Sequence, residues 1–214
     1  MVAVSRCQVA KSTSSARWKQ RQARDPFVRK AHAEGWRSRA IFKLSELQRV
    51  EKLMAPGNIV VDLGAAPGAW SQYAASIVGP RGRVVALDLL EMPPLAGVEV
   101  MQGDFREDKT LQALLARLGQ VRVDLVLSDL APNMSGMRTV DQPRSMYLAE
   151  LVLDFAGQVL RERGNMVVKL FQGEGFQEYI GAVRSRFESV RMRKPPASRA
   201  GNRETYLVAR NFRL

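Results

Sequence analysis

Short apolar runs and stretches of helical period take turns along this chain. In RSRAIFKLSELQRVEKL, Ile41, Leu44, Leu47 and Val50 recur every third residue and predict a helix with one apolar stripe. Pro56-Gly57 breaks the pattern, and the β-branched run Ile59, Val60, Val61 in PGNIVVDLG predicts a buried strand. A helix over AWSQYAASIV, strands over GRVVALDL and VEVMQGD, a helix over EDKTLQALLARL and a strand over VRVDLVLSD follow in order. Beyond a loop through LAPNMSGMRTVDQP come a long helix over RSMYLAELVLDFAGQVLRER, a strand over GNMVVKLFQ and a helix near GFQEYIGAVRSRF. Two last strands fall near SVRMRK and RETYLVAR.

The strands are apolar on both faces and alternate with helices. That pattern belongs to an α/β fold, a mostly parallel seven-stranded sheet with helices on both faces. The loop between the last two strands has no room for a crossover helix, so those two are expected to be antiparallel. Ligands in such folds bind outside the carboxyl ends of the strands, which is where chemistry is to be sought.

One strand is anomalous. GNMVVKLFQ is apolar except for Lys169, and a lysine is seldom buried without a partner. Taken alone, Lys169 can extend its ammonium past the edge of the core.

Composition narrows the class. The 214 residues suit one large domain, and 46% are hydrophobic. A single cysteine, Cys7, allows no intrachain disulfide and suits a reducing, cytoplasmic setting. With one Cys and one His, a zinc site is not expected. No apolar run is long enough for a bilayer, and no signal-peptide core follows Met1.

The net charge of +12 is segregated. Residues 1–52 carry 13 Lys and Arg against 4 acids, residues 53–160 carry 8 against 12, and residues 161–214 carry 12 against 5. Two basic ends flanking an acidic middle suit a polyanion such as nucleic acid. Residues 1–24 contain no acid. Residues 1–35 are therefore read as a basic, flexible arm and 36–214 as the folded domain. A transit peptide has a similar composition, but here the basic character continues into RSRAIFK.

The first predicted strand leads into VVDLGAAPGAW. Gly64 and Gly68 permit a tight turn and close approach to a ligand, and Asp62 ends the strand. Asp88 ends the next strand, 20 residues beyond Gly68, where a carboxylate can accept ribose hydroxyls. Asp104 in QGDF ends the third, near the expected adenine edge. The dinucleotide fingerprint G-x-G-x-x-G is absent, and Pro67 removes an N–H that a pyrophosphate would use. Acids at 62, 88, 104 and 129 repel a pyrophosphate but suit a sulfonium with an ammonium. S-adenosylmethionine is therefore expected over NAD.

Four polar residues are oddly placed: Lys43 beside the first apolar stripe, Asp129 closing the fourth strand, Lys169, and Glu204 opening the last. Each alone has a plain explanation, as a solvated lysine, an Asx-turn, a snorkelling lysine or an edge-strand charge. Together at the carboxyl side of the sheet, two lysines and two carboxylates can balance one another.

These stretches resemble the FtsJ/RrmJ ribose 2′-O-methyltransferases of bacterial large-subunit ribosomal RNA. The likeness lies in RSRAIFKLSELQ, VVDLGAAPGAWSQY, MQGDFR, SDLAPNMSG, VVKLFQGEGF and KPPASRAGNRETYLVA, from about residue 15 to 210. The resemblance implies a Rossmann-like class I fold using S-adenosylmethionine. It implies a catalytic tetrad of Lys43, Asp129, Lys169 and Glu204, with Lys169 as general base. It implies cofactor contacts at Gly68, Trp70, Asp88, Asp104 and Asp129. Ala69 stands where the family often has a second glycine.

The implied reaction methylates a ribose 2′-OH, on a uridine of 23S-type ribosomal RNA, within the large subunit or its precursor. A neutral hydroxyl is a poor nucleophile and needs a base. A free lysine, pKa about 10.4, is mostly protonated at neutral pH. Repulsion from Lys43 favours the free amine at Lys169, whereas Asp129 and Glu204 favour the ammonium. No metal is required, and nothing demands more than a monomer. RNA contacts are expected from Arg17, Lys19, Arg21, Arg37 and Arg39, and from Arg193, Lys194, Arg199 and Arg203, with binding that falls steeply with salt. Competing readings are a transfer-RNA or cap 2′-O-methyltransferase, a non-catalytic RNA-binding module on the same fold, and an NAD-linked oxidoreductase.

Overall fold

A computed structural model describes residues 25–198 and 203–214. In chain order its elements are α1 (Pro26–Ala33), α2 (Ile41–Glu51), β1 (Ile59–Leu63), α3 (Ala69–Val78), β2 (Arg83–Asp88), β3 (Val98–Gln102) and α4 (Asp108–Leu118). There follow β4 (Val123–Ser128), α5 (Arg138–Val159), β5 (Leu160–Phe171), α6 (Phe176–Arg186), β6 (Phe187–Arg193) and β7 (Glu204–Phe212).

The strands form one sheet in the order β3-β2-β1-β4-β5-β7-β6. The first five are parallel to one another, and β7 runs antiparallel to both β5 and β6. The crossover through α6 leaves one lane open beside β5, and the short return from β6 fills it with β7.

Strand residues feed two cores by turns, which explains why the runs are apolar without alternating. Val61, Val126, Met166, Val168, Leu207 and Ala209 pack with α4, α5 and α6. Val60, Leu125, Leu127, Val167, Tyr206 and Val208 pack with α2 and α3. Lys169 shares parity with Val167, so it projects on the α2 side. Register places it opposite Tyr206, and Phe171 opposite Glu204.

Three expectations differ from what folds. Helix α5 was expected over residues 144–163 but spans Arg138–Val159. It starts early because Pro143 lies only one turn in and removes a single helix bond. Asp141 meanwhile secures the preceding loop by accepting the N–H groups of Ser135 (2.8 Å) and Gly136 (3.0 Å). It ends early because Leu160 turns extended, is fully buried, and pairs with Val123. On α2, Val50 is exposed and Glu51 is buried in its stead, ion-paired with Arg191 (3.2 Å), Arg193 (2.5 Å) and Arg210 (3.7 Å).

The third concerns residues 1–35. From Asp25 on, this stretch is structured: Asp25 caps α1 through the N–H of Phe27 (3.0 Å), Pro26 opens the helix, and Ala31 is buried against Ile41 and Ala69. Arg39 ties it down further through an ion pair to Asp25.

Candidate active site

Gly64, at the end of β1, sits at φ +77°, where a Cβ would lie 2.8 Å from the backbone nitrogen of Leu130. Only glycine lets the β1 and β4 ends come this close. Beside them a cleft of about 530 Å³ opens at the carboxyl edge of the sheet, lined by Gly64, Asp88, Asp104, Asp129, Arg144 and Tyr147 among others. Three of the four acids singled out in the sequence, Asp88, Asp104 and Asp129, thus face one cavity.

Their partners differ. The carboxylate of Asp88 accepts the N–H groups of Ala66 and Leu90, both at 2.8 Å, which fixes its orientation. Asp104 is gripped by Arg106, whose Nη2 lies 2.5 Å away and whose hydrogen bonds hold the carboxyl below the usual carboxylate range. Arg106 was not singled out in the sequence. Its place two residues after the strand-end acid is the signal that could have found it.

Two other expected cofactor contacts do not line the cleft. Trp70 is buried in the α2–α3 core, donates its indole N–H to the Ala40 carbonyl (2.8 Å) and lies 5.7 Å from the Tyr206 ring. Gly68 caps α3 at φ +103°, packed on Leu95 and Arg37.

Asp62 lies inside the sheet and not at its rim. It is fully buried, accepts the Ser71 hydroxyl at 2.6 Å, and leaves Oδ1 without a partner among the described residues. Burial pushes its carboxyl up to about 7, with the Ser71 bond opposing and the charges of Asp129 and Asp88 adding to the rise. Because the folded value exceeds the unfolded one, the contribution to stability is full below about pH 4. It is lost as pH rises to about 7. Urea unfolding of wild type and Asp62→Asn between pH 4 and 8 should show the wild type losing a few kcal/mol relative to the variant. A pH-independent difference would refute this assignment.

The four oddly placed residues do meet. Lys43, from α2, forms an ion pair with Glu204 at the start of β7. Lys169 Nζ lies 3.2 Å from Asp129 Oδ1 and donates to the Asp129 carbonyl at 2.5 Å. Their side chains are only 8–22% exposed. The two pairs are joined by a residue that sequence reasoning missed. Tyr206 Oη lies 3.0 Å from each of Asp129 Oδ1, Glu204 Oε1 and Lys43 Nζ. Burial raises the pKa of this phenol, and the two carboxylates raise it further, so it stays a protonated donor. Its position two residues after Glu204 on one strand face was the available clue.

Asp129 belongs to both halves of this arrangement. Its backbone N–H is fixed to the Leu63 carbonyl (3.0 Å), and its carboxylate borders the cleft while holding Lys169 and Tyr206.

Of the five expected RNA contacts that fall within the described residues, Arg37, Arg39 and Arg193 have other work. Arg37 donates to the carbonyls of Pro67 (3.2 Å), Pro93 (2.9 Å) and Pro94 (2.7 Å), bracing a loop onto the glycine turn. Arg39 pairs with Asp25 and donates to the Ala197 carbonyl. Arg193 binds buried Glu51, while Lys194 and Arg203 line a surface depression with Glu204. Arg17, Lys19, Arg21 and Arg199 lie outside the described residues.

Several solved structures share this architecture. A candidate ribosomal RNA methyltransferase from Plasmodium falciparum matches at 27% identity, covering 83% of this chain and 98% of its own, with a TM-score of 0.73. Fibrillarin from Aeropyrum pernix, solved with S-adenosyl-L-methionine bound, matches at 18% identity and TM-score 0.53, covering 79% of this chain and 75% of its own. A fibrillarin solved with Nop5p matches at 18% identity and TM-score 0.58, covering 82% and 85%. The last two likenesses speak to the fold, a Rossmann-like methyltransferase sheet. The model of the FtsJ-like methyltransferases matches residues 36–212, and the chain belongs to that family.

Proposed function

We propose that this chain methylates a ribose 2′-hydroxyl, on a uridine of large-subunit ribosomal RNA, with S-adenosylmethionine as methyl donor and Lys169 as general base. One observation carries the reading: Asp129 borders the cofactor cleft and binds Lys169 at the same time. Whatever reacts at the end of the cleft therefore reacts beside the lysine amine.

The cleft fits the cofactor in size, in the close backbone approach at Gly64, and in its three carboxylates. S-adenosylmethionine supplies an electrophilic methyl on a sulfonium. Asp88 would take the ribose hydroxyls on its remaining lone pairs, Asp104 the adenine side, and Asp129 the positive end. Lys169, as the free amine, would take the proton of the 2′-hydroxyl while that oxygen bonds to the methyl carbon and the carbon–sulfur bond breaks, with S-adenosylhomocysteine as the leaving group. Lys43, Glu204 and Tyr206 hold the amine and the nucleotide in place, and positioning supplies the remainder of the catalysis.

RNA as substrate is supported by the +12 charge and by the resemblance to ribosomal RNA methyltransferases. We place the enzyme in the cytoplasm as a monomer. Residues 1–24, which include Arg17, Lys19 and Arg21 and no acid, add positive charge for the same RNA.

Tyr206→Phe removes the hydroxyl shared by buried Glu204 and partly exposed Asp129, while each carboxylate keeps its lysine. It should cost about 1–3 kcal/mol of stability and slow methyl transfer about tenfold, since a tenfold rate change is about 1.4 kcal/mol at the transition state. Denaturant melts and a single-turnover rate check both. The function itself is tested by mapping 2′-O-methylation in a strain lacking the gene. The expected result is loss of one 2′-O-methyluridine from large-subunit ribosomal RNA, restored by this chain and not by Lys169→Ala. An unchanged ribosomal RNA map would overturn the assignment.

A further inference from the structure

Three surface depressions on this protein share walls. One of about 390 Å³ contains Glu204 of the tetrad together with Arg193, Lys194 and Arg203. A small one of about 70 Å³ shares Arg193 and Lys194 with it and adds Val50, Pro195 and Pro196. A third, of about 470 Å³, shares Pro196 and Glu46 with the second and ends among the rings of Phe27, Phe42 and Tyr73. A furrow therefore runs from the tetrad, over the turn after β6, to the outer face of α1 and α2.

The near end is cationic. Arg193 shares Glu51 with Arg191 and Arg210, so three guanidinium groups face one carboxylate and leave a positive excess. Arg193, Lys194 and Arg203 line this end against the one carboxylate of Glu204. The far end is aromatic. The rings of Phe27 and Phe42 lie 5.6 Å apart at 47°, and each is only half-buried. Lys30 Nζ stands 5.0 Å from the centre of the Phe42 ring. Arg39 likewise stands over the Phe27 ring, 5.3 Å from its centre, so each of the two partly exposed rings keeps one face for a base. Cations along a furrow that ends on such faces are what single-stranded nucleic acid needs: charge for its backbone and π-faces for its bases.

We infer that this furrow carries single-stranded RNA away from the tetrad, and that the aromatic cleft at its end stacks one unpaired base flanking the target nucleotide. The inference rests on the RNA reading above. A basic peptide partner is disfavoured because Arg193, Lys194 and Arg203 outnumber Glu204 and Glu46 on the route to the cleft and the whole chain is strongly positive. The clue in the sequence was slight, since Phe42 adjoins Lys43 and reads as a helix residue flanking the core stripe.

The test uses the full-length protein and a short oligouridine carrying 4-thiouridine. Irradiation should cross-link the modified base to the peptides containing Phe27, Phe42 or Tyr73. Phe42→Leu, which keeps apolar bulk but removes the ring, should weaken oligonucleotide binding about tenfold, the lower part of the range for losing one stacked base. Phe42→Trp should bind as well as wild type. Calorimetry with S-adenosylmethionine, unchanged in both variants, shows that they are folded. Cross-links confined to other peptides, or unchanged binding by Phe42→Leu, would overturn the inference. Cross-linking as expected with no methyl transfer to any RNA would instead sink the functional reading and leave this binding site standing.

Discussion

Lys169→Ala is expected to lower single-turnover methyl transfer by about a thousandfold, within the 10²–10⁴ range for a general base. Affinity for S-adenosylmethionine should stay measurable, because Asp88 and Asp104 keep their own partners in Ala66, Leu90 and Arg106. Loss of the side chain leaves the Asp129 carbonyl without the bond from Lys169, but the Asp129 carboxylate keeps the Tyr206 hydroxyl at 3.0 Å. Lys169→Arg separates two roles that alanine merges. Arginine retains a cation for Asp129 yet does not give up its proton. A lysine that serves as base makes both variants equally slow. A lysine that only pairs with Asp129 makes the arginine variant nearly as fast as wild type, and that outcome would remove Lys169 from the chemistry.

Gly64→Ala should have an effect of similar size on the cofactor. A methyl group there meets the Leu130 nitrogen at 2.8 Å and its Cα at 3.0 Å, and backbone has nowhere to retreat. Alanine also resists a φ of +77° by about 1–2 kcal/mol. Relief must come from moving Leu130, and Asp129 is its chain neighbour. The expected result is about a hundredfold weaker binding of S-adenosylmethionine, about 2.7 kcal/mol, with a lowered melting temperature. Gly181→Ala, in helix α6 with nothing within 4 Å of the new methyl, serves as control and should be neutral or stabilising. Equal cofactor affinity in the two variants would contradict the close-approach role of Gly64.

Much of this was legible because the site breaks the pattern of its surroundings. Lys169 stands in an apolar strand, and Asp88 and Asp129 mark strand ends, so their places followed once the sheet was drawn. Strand boundaries were readable for the same reason, since β-branched runs bounded by glycine have few other homes. Tyr206 was hidden because a tyrosine in a strand looks like ordinary core; only the pairing of β7 with β5 puts its hydroxyl between two carboxylates. Glu51 was hidden because its three arginines arrive from β6 and β7, about 140 residues or more away. Arg37 and Arg39 read as RNA contacts because composition counts charge and not geometry. A guanidinium that satisfies two or three loop carbonyls looks, in sequence, like one awaiting a phosphate.

The site of methylation on the nucleotide tests the account most directly. RNA methylated by this protein with methyl-labelled S-adenosylmethionine can be digested with alkali, which cleaves only where a free 2′-hydroxyl can attack the neighbouring phosphate. The arrangement of Lys169, Asp129, Tyr206, Glu204 and Lys43 leads us to expect all of the label in alkali-resistant dinucleotides. Label recovered in mononucleotides would mean that a base was methylated, and would contradict a tetrad built to draw a proton from a ribose hydroxyl.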